Sequence, residues 1–235
     1  MLLYIVRHGD PVYSTDSLTE RGKLQAEAVG KRIFDSKINK IYSSPMGRAR
    51  MTAEPAARLL GLDINIEDWA YEIGDERLTY FPDGEKRKSV TFVQNSYFRD
   101  NGDINLSYED SYKCKVLADT ELEKGVNRVA DGGRGFLEKL GYKEENGVYK
   151  IIKPNEEKVA LFCHAALTKA WISQLLHIPI HIVWAGVNLS HTGITVLEFK
   201  NYENGYTAPK LLCFSDVGHL YKSGLDLIHD NDVIL

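Results

Sequence analysis

The sequence predicts an α/β protein: a three-layer α/β/α sandwich built on a doubly wound, mostly parallel sheet, with an antiparallel edge and an inserted cap segment. Three observations lead there. Short, almost wholly apolar runs with β-branched and aromatic members, Leu2–Val6 and Lys158–Cys163, read as strands buried on both faces. Each is followed by a stretch whose apolar residues recur at helical spacing, and that alternation is what a parallel sheet requires. Near the end the pattern changes to two apolar runs, Ile194–Lys200 and Thr207–Phe214, around Asn204-Gly205, a hairpin signal.

Taken in order, Leu2–Val6 is the first strand and ends at Arg7-His8-Gly9. Ser17 followed by Glu20 reads as a capping box that opens an amphipathic helix from about Ser17 to Asp35, with Leu18, Gly22, Ala26, Val29 and Ile33 on one face. Lys40–Ser43 is a second short strand. Ser44 and Pro45 then supply an N-cap and a first-turn proline for a helix running to Gly61, and Pro55 is expected to bend it or end its first half. From Asp75 to Tyr112 the chain is irregular for longer than a connection in a compact domain allows, which points to a cap or lid. A helix from about Thr120 to Leu140 and a small hairpin through Asn146-Gly147 lead back to the third strand, Lys158–Cys163. Leu167, Ala170, Trp171, Leu175 and Leu176 mark the next helix, stopped before Pro179. The expectation is one domain over residues 1–235, with residues 75–156 inserted as the cap.

Composition narrows the function. Of 235 residues, 43% are hydrophobic and 26% charged, which excludes disorder as the main state. A net charge of -4 offers no global positive field for nucleic acid or an anionic membrane, so any phosphate recognition must be local. Cys114, Cys163 and Cys213 form no CxxC pair and are too few for a disulfide framework; reduced thiols and a cytoplasmic location are expected. The first apolar run is too short for a signal peptide, and no apolar stretch is long enough to span a bilayer. Neither a cofactor nor a metal is expected, since there is no HExxH motif and no carboxylate-histidine cluster at ligand spacing.

In open α/β sheets, ligands bind beyond the carboxyl ends of the strands. Three strand ends here deliver polar residues: Arg7-His8, then Ser43-Ser44 with Arg48, then His164. Two histidines and two arginines thus converge on one pocket. Arg48 falls in the first turn of its helix, where free N–H groups and the helix dipole favour an anion. The natural guest is a phosphoryl group.

Arg7-His8-Gly9, the run Ser44-Pro45-Met46-Gly47-Arg48-Ala49-Arg50-Met51-Thr52-Ala53 and His164 opening a β-α turn resemble the histidine phosphatase superfamily, also called the phosphoglycerate mutase-like family. Leu18–Gly22 with Gln25-Ala26, and Asp216 to His219-Leu220, extend the likeness more weakly. It covers Met1 to Gly74 and about Glu157 to Leu220. The resemblance implies that His8 is the nucleophile, Arg7 and Arg48 grip the phosphoryl oxygens, and His164 donates to them. Ala165 stands where the family usually has glycine, and its small side chain still permits close backbone approach. Glu72 matches the family's acid position, with Asp75 and Glu76 as rivals. Ser14 occupies the place where many relatives carry a phosphate-contacting asparagine. The implied activity is metal-independent hydrolysis of a small-molecule phosphate monoester through a phosphohistidine on His8. Two alternatives stand beside it: a phosphomutase of the phosphoglycerate mutase type, and a catalytically silent module that binds phosphate esters. Mutases of the family usually show a Trp-Asn pair soon after RHG and a Glu-Arg-His-Tyr run at the acid; here those stretches read Asp10–Ser14 and Tyr71–Gly74, which favours hydrolysis.

The remaining candidates take ordinary readings. His177, His181, His191 and His229 read as structural or exposed, and His219 as a loop-fixing hydrogen bond. Glu85-Lys86-Arg87-Lys88 reads as a solvated loop. Tyr80, Phe81, Phe92, Tyr97, Phe98, Tyr108 and Tyr112 divide between a small cap core and a pocket lining. Cys163 reads as packing.

Overall fold

Burial with a period of two organises the central strands. In β1 (Leu2–Arg7), Leu3 and Ile5 face one side of the sheet and Val6 the other; in the strand Lys158–Cys163, Val159, Leu161 and Cys163 oppose Ala160 and Phe162. All of these side chains are buried, so the runs contain no polar alternation to report a solvent face. The computed structural model describes residues 1–74, 79–80, 88–89, 95–118, 120 and 122–227.

We label the remaining elements β2 (Lys40–Ser43), β3 (Ile64–Ile66), β4 (Tyr142–Glu145), β5 (Val148–Ile151), β6 (Lys158–Cys163), β7 (Ile194–Glu198) and β8 (Lys210–Asp216). The principal helices are α1 (Glu20–Asp35), α2 (Gly47–Leu60), α3 (Leu122–Lys139), α4 (Ala165–Leu176), α5 (Ile180–Gly186) and α6 (Gly218–Lys222). The main sheet has the order β8-β7-β1-β6-β2-β3. β1, β6, β2 and β3 are mutually parallel, whereas β7 pairs antiparallel with β1 and β8 antiparallel with β7. This is the expected mostly parallel α/β sheet with an antiparallel edge. One face is closed by α1 and α2 through Val29, Ile33, Ala53 and Ala56. The other is closed by α3 and α4 through Val129, Phe136, Leu167 and Trp171.

Several boundaries differ from the sequence expectation. The cap of α1 is Thr19, not Ser17: the Thr19 hydroxyl accepts from Gly22 N at 2.9 Å, while Ser17-Leu18 form a short strand against Pro11-Val12. Helix α2 starts after Met46 rather than at Ser44-Pro45, because Ser44 is held one residue beyond β2 by its N–H to Phe162 O (2.9 Å). Pro55 does not end that helix, which runs unbroken to Leu60 and closes on Gly61 in the left-handed region. A Cβ added at Gly30 would come within 2.8 Å of the Pro55 ring, so α1 and α2 pack almost backbone to backbone there. The Asn204-Gly205 turn does not join β7 and β8 directly, because Tyr206-Thr207 leave to pair with β5. The Asn146-Gly147 hairpin forms as expected, both residues having positive φ. Of the irregular stretch, residues 95–112 contain a short-pitched helix, Asn95–Asn105, with Phe98 buried. Phe81, Phe92, the side chains of Tyr80 and Glu85–Lys88, and His229 lie outside the described residues, as do Asp75 and Glu76.

Candidate active site

Because β6 returns between β1 and β2, three strand ends stand side by side. Arg7 pairs with Cys163, so His8 and His164 emerge at one level, and Phe162 pairs with Ser43, so Ser44 emerges beside Cys163 on the neighbouring strand. The ladder continues past the strands: His8 N donates to Cys163 O at 2.9 Å and Ser44 N to Phe162 O at 2.9 Å. The rings of His8 and His164 lie 5.3 Å apart.

His8 is 2% exposed, and its Nδ1 donates to the carbonyl of Gly9 at 2.7 Å. That bond assigns the proton of the neutral ring to Nδ1 and leaves the lone pair on Nε2. Burial, then the charges of Arg7 and Arg48 and the neighbouring His164 imidazole, hold the His8 pKa well below its ordinary value. The backbone around it is tied down from α2: Thr52 Oγ1 accepts from Gly9 N (3.0 Å) and donates to Arg48 O (2.7 Å). α1 approaches so closely that a Cβ on Gly22 would lie 2.2 Å from Asp10 O, which is why that helix position is glycine.

Arg48, in the first turn of α2, is 5% exposed. Its Nη1 donates to Asp16 Oδ1 at 2.6 Å, and Asp16 Oδ2 accepts from Gly47 N at 2.6 Å. Asp16 itself sits in the left-handed region at the end of the Tyr13–Thr15 turn. Nε of Arg48 is buried with no hydrogen-bond partner among the described residues, as is Nδ1 of His164. His164 Nε2 meets Ser44 Oγ at 2.8 Å, and that hydroxyl already accepts from Met46 N. If Ser44 donates to Nε2, the imidazole proton of His164 lies on Nδ1, a second donor ready for an anion. Burial first, then Arg48, Arg7 and Arg128, keep this imidazole neutral too. Arg7 is buried and donates to Leu189 O.

Glu72 arrives from a different direction, on the loop after β3. Its Oε1 accepts from Leu167 N and Ile73 N, both at 2.9 Å, and Oε2 from Ala166 N at 3.3 Å. The carboxylate therefore caps the first turn of α4, immediately after His164 and Ala165. Burial pushes its pKa above the ordinary carboxylate value, although the three N–H donors and Arg7 pull the other way. A carboxyl whose pKa burial raises, held beside two imidazoles and two guanidinium groups, is suited to proton transfer at an anionic centre. Among the described residues, no group of three or more His, Cys, Asp or Glu side chains is placed to hold a metal ion.

The family model for the histidine phosphatase superfamily (branch 1) matches residues 3–81. The probable phosphoglycerate mutase GpmB of Citrobacter koseri is 36% identical over 238 residues, covering 95% of this chain and 97% of that one. The chain belongs to the histidine phosphatase superfamily. Phosphoserine phosphatase 1 of Hydrogenobacter thermophilus is 25% identical over 72% of this chain and 79% of its own. In fold, the crystal structure of phosphoserine phosphatase from Entamoeba histolytica, solved with 3-phosphoglyceric acid, aligns at a TM-score of 0.60 with 24% identity, covering 93% of this chain and 98% of that one.

Within this histidine phosphatase site, Arg7, His8, Arg48, His164 and Glu72 come together, and Ala165 opens α4 beside them. Ser14 lies on the exposed Tyr13–Thr15 turn, from which Asp16 rather than Ser14 reaches Arg48. Sequence reasoning passed over Asp16, Ser44 as the partner of His164, and Arg128. It also read His191 as structural or exposed, yet its ring centroid lies 5.7 Å from that of His8, with Nδ1 3.8 Å from Asp10 Oδ1. Spacing carries no sign of these neighbours, since all depend on tertiary approach. His219 Nε2 meets Thr192 Oγ1 at 3.0 Å, and Thr192 N donates to His8 O, so this histidine steadies the loop behind the site. Cys163 is fully buried, and burial pushes its thiol up to about 12. No helix among the described residues is long and apolar enough to cross a membrane.

Proposed function

We propose that this protein is a phosphatase that hydrolyses a small phosphate monoester through a phosphohistidine on His8, using no metal or organic cofactor. One observation carries the reading: Nδ1 of His8 is committed to Gly9, so the ring's lone pair is on Nε2, amid two arginines and a second neutral imidazole. Arg7, Arg48 and His164 hold the phosphoryl oxygens, with the N–H of Ala165 and the hydroxyl of Ser14 as further contacts. Nε2 attacks phosphorus; as the P–N bond forms, the P–O bond to the leaving group breaks, and that oxygen takes the proton of Glu72. Water then attacks the phosphohistidine while the Glu72 carboxylate accepts its proton, which releases phosphate and restores both groups. The guanidinium pair acts most strongly on the transition state, where charge spreads over the equatorial oxygens.

Relatives named for phosphoserine and phosphoglycerate make phosphorylated organic acids the first substrates to try. His8→Ala should lower phosphate release from para-nitrophenyl phosphate by about 10⁴-fold or more and abolish acid-labile phosphoenzyme. Substantial remaining turnover would reject the nucleophile assignment, and inhibition by a chelator would reject the metal-free mechanism. A mutase reading is favoured by the name of the near-full-length relative. Quenched-flow trapping with labelled phosphoenzyme separates the two, since a mutase passes the label to 3-phosphoglycerate faster than to water. A binding-only module would retain phosphate esters and release no phosphate.

A further inference from the structure

Helix α3 belongs to the inserted part of the chain, yet one of its faces is fitted to the loop that bears Glu72. A Cβ on Gly132 would lie 2.3 Å from the Trp69 ring, and one on Gly125 would lie 2.9 Å from Ile73 Cγ2. Gly125, Arg128 and Gly132 follow at i, i+3 and i+7, the spacing of one helix face. Between the two glycines, Arg128 donates through Nη1 to Trp69 O and to Tyr71 O (3.0 Å), and through Nη2 to Glu72 O (3.4 Å). Its guanidinium carbon also lies 3.6 Å from the centroid of the Tyr71 ring. One side chain thus gathers three carbonyls of the loop and stacks on the residue before Glu72. α3 is fastened to α4 as well, since Gln174 Nε2 donates to Val126 O at 2.7 Å.

We infer that Arg128 is a positioning residue for the general acid: it holds the Trp69–Glu72 backbone so that the Glu72 carboxyl stays on the first turn of α4 beside His164. The inference rests on the reading of Glu72 as that acid. A planar fork that satisfies several carbonyls and stacks on an aromatic ring is a task for arginine, not for lysine's single ammonium. Arg128 does not touch the phosphoryl group in this scheme; its charge also helps keep His164 neutral, an effect that Arg128→Lys retains. A misplacement of the acid by an ångström suffices to cost about 10²-fold in the step that needs its proton.

The test compares Arg128→Met and Arg128→Lys, alone and combined with Glu72→Gln, on glycerol phosphate (poor leaving group) and para-nitrophenyl phosphate (good leaving group). Arg128→Met should lower kcat on the alkyl ester by about tenfold to 10²-fold while changing the aryl rate by less than about threefold. Arg128→Lys should recover part of the alkyl rate, and it carries the test if the methionine variant fails to fold. In the Glu72→Gln background, the charge-keeping Arg128→Lys should add no further loss. Equal slowing of both esters, or an undiminished additional loss in that background, overturns the inference while Glu72→Gln still separates the esters. If Glu72→Gln itself slows both esters alike, the acid assignment falls and the role of Arg128 with it.

Discussion

The two halves of the site are held by different means. His8, His164 and Ser44 continue strands of one ladder, so each backbone is fixed within a residue of a sheet hydrogen bond. Glu72 has no such frame: its position depends on side-chain bonds to α4, on Arg128 from α3, and on Glu67, which is buried between Lys139 Nζ (3.0 Å) and Trp69 Nε1 (2.9 Å). The contrast teaches where precision comes from in this fold. The strand-end half is preorganised by the core itself, whereas the Glu72 half is assembled from long-range side-chain contacts with helices α3 and α4.

Perturbing the strand-end half should have the largest consequences. Arg48→Lys keeps the charge but loses the planar fork, and should lower kcat/KM by about 10²-fold in steady-state assays; an unchanged value would remove Arg48 from the clamp. Asp16→Asn should cost less, about tenfold, because Asp16 only aims Arg48 and satisfies Gly47 N–H. A loss as large as that of Arg48→Lys would mean that Asp16 does more than orient.

The smallest effect concerns the frame behind His8 and appears in stability. Burial lowers the His219 pKa to about 4. At pH above about 6.5 the imidazole is neutral folded and unfolded, so the folded state is at full strength. Between about 6.5 and 4 the unfolded chain takes up the proton first, and stability falls as pH falls, by about 3 kcal/mol in the limit. His8 and His164, also depressed by burial, act in the same direction. His219→Gln should therefore flatten part of the decline in the urea midpoint between pH 7 and pH 4.5, and an unaltered slope would show that His219 titrates normally.

The same division explains what was legible beforehand. Apolar runs of strand length ending in Arg7-His8 and His164 announce both the sheet and its polar ends, because burial on two faces leaves a simple one-dimensional pattern. Cap positions were less readable. Ser17 and Ser44 are good capping residues by type, but one pairs in a short strand and the other turns toward His164, so α1 and α2 begin later. Asp16, His191 and Arg128 carry no local signal at all: an aspartate in a turn, a histidine in a loop and an arginine on a helix become neighbours of the site only through tertiary packing. Glu72 was reachable through its likeness to the family's acid position, not through any periodicity.

One consequence reaches beyond phosphate chemistry. Cys163 stands next to His164, yet a thiol with a pKa of about 12 is ionised in only about one molecule in 10⁵ near neutrality. Alkylating reagents react with the thiolate, so this thiol beside His164 is chemically silent. Turnover by the proposed imidazole nucleophile should therefore persist in the presence of thiol-alkylating reagents that extinguish enzymes whose nucleophile is sulfur.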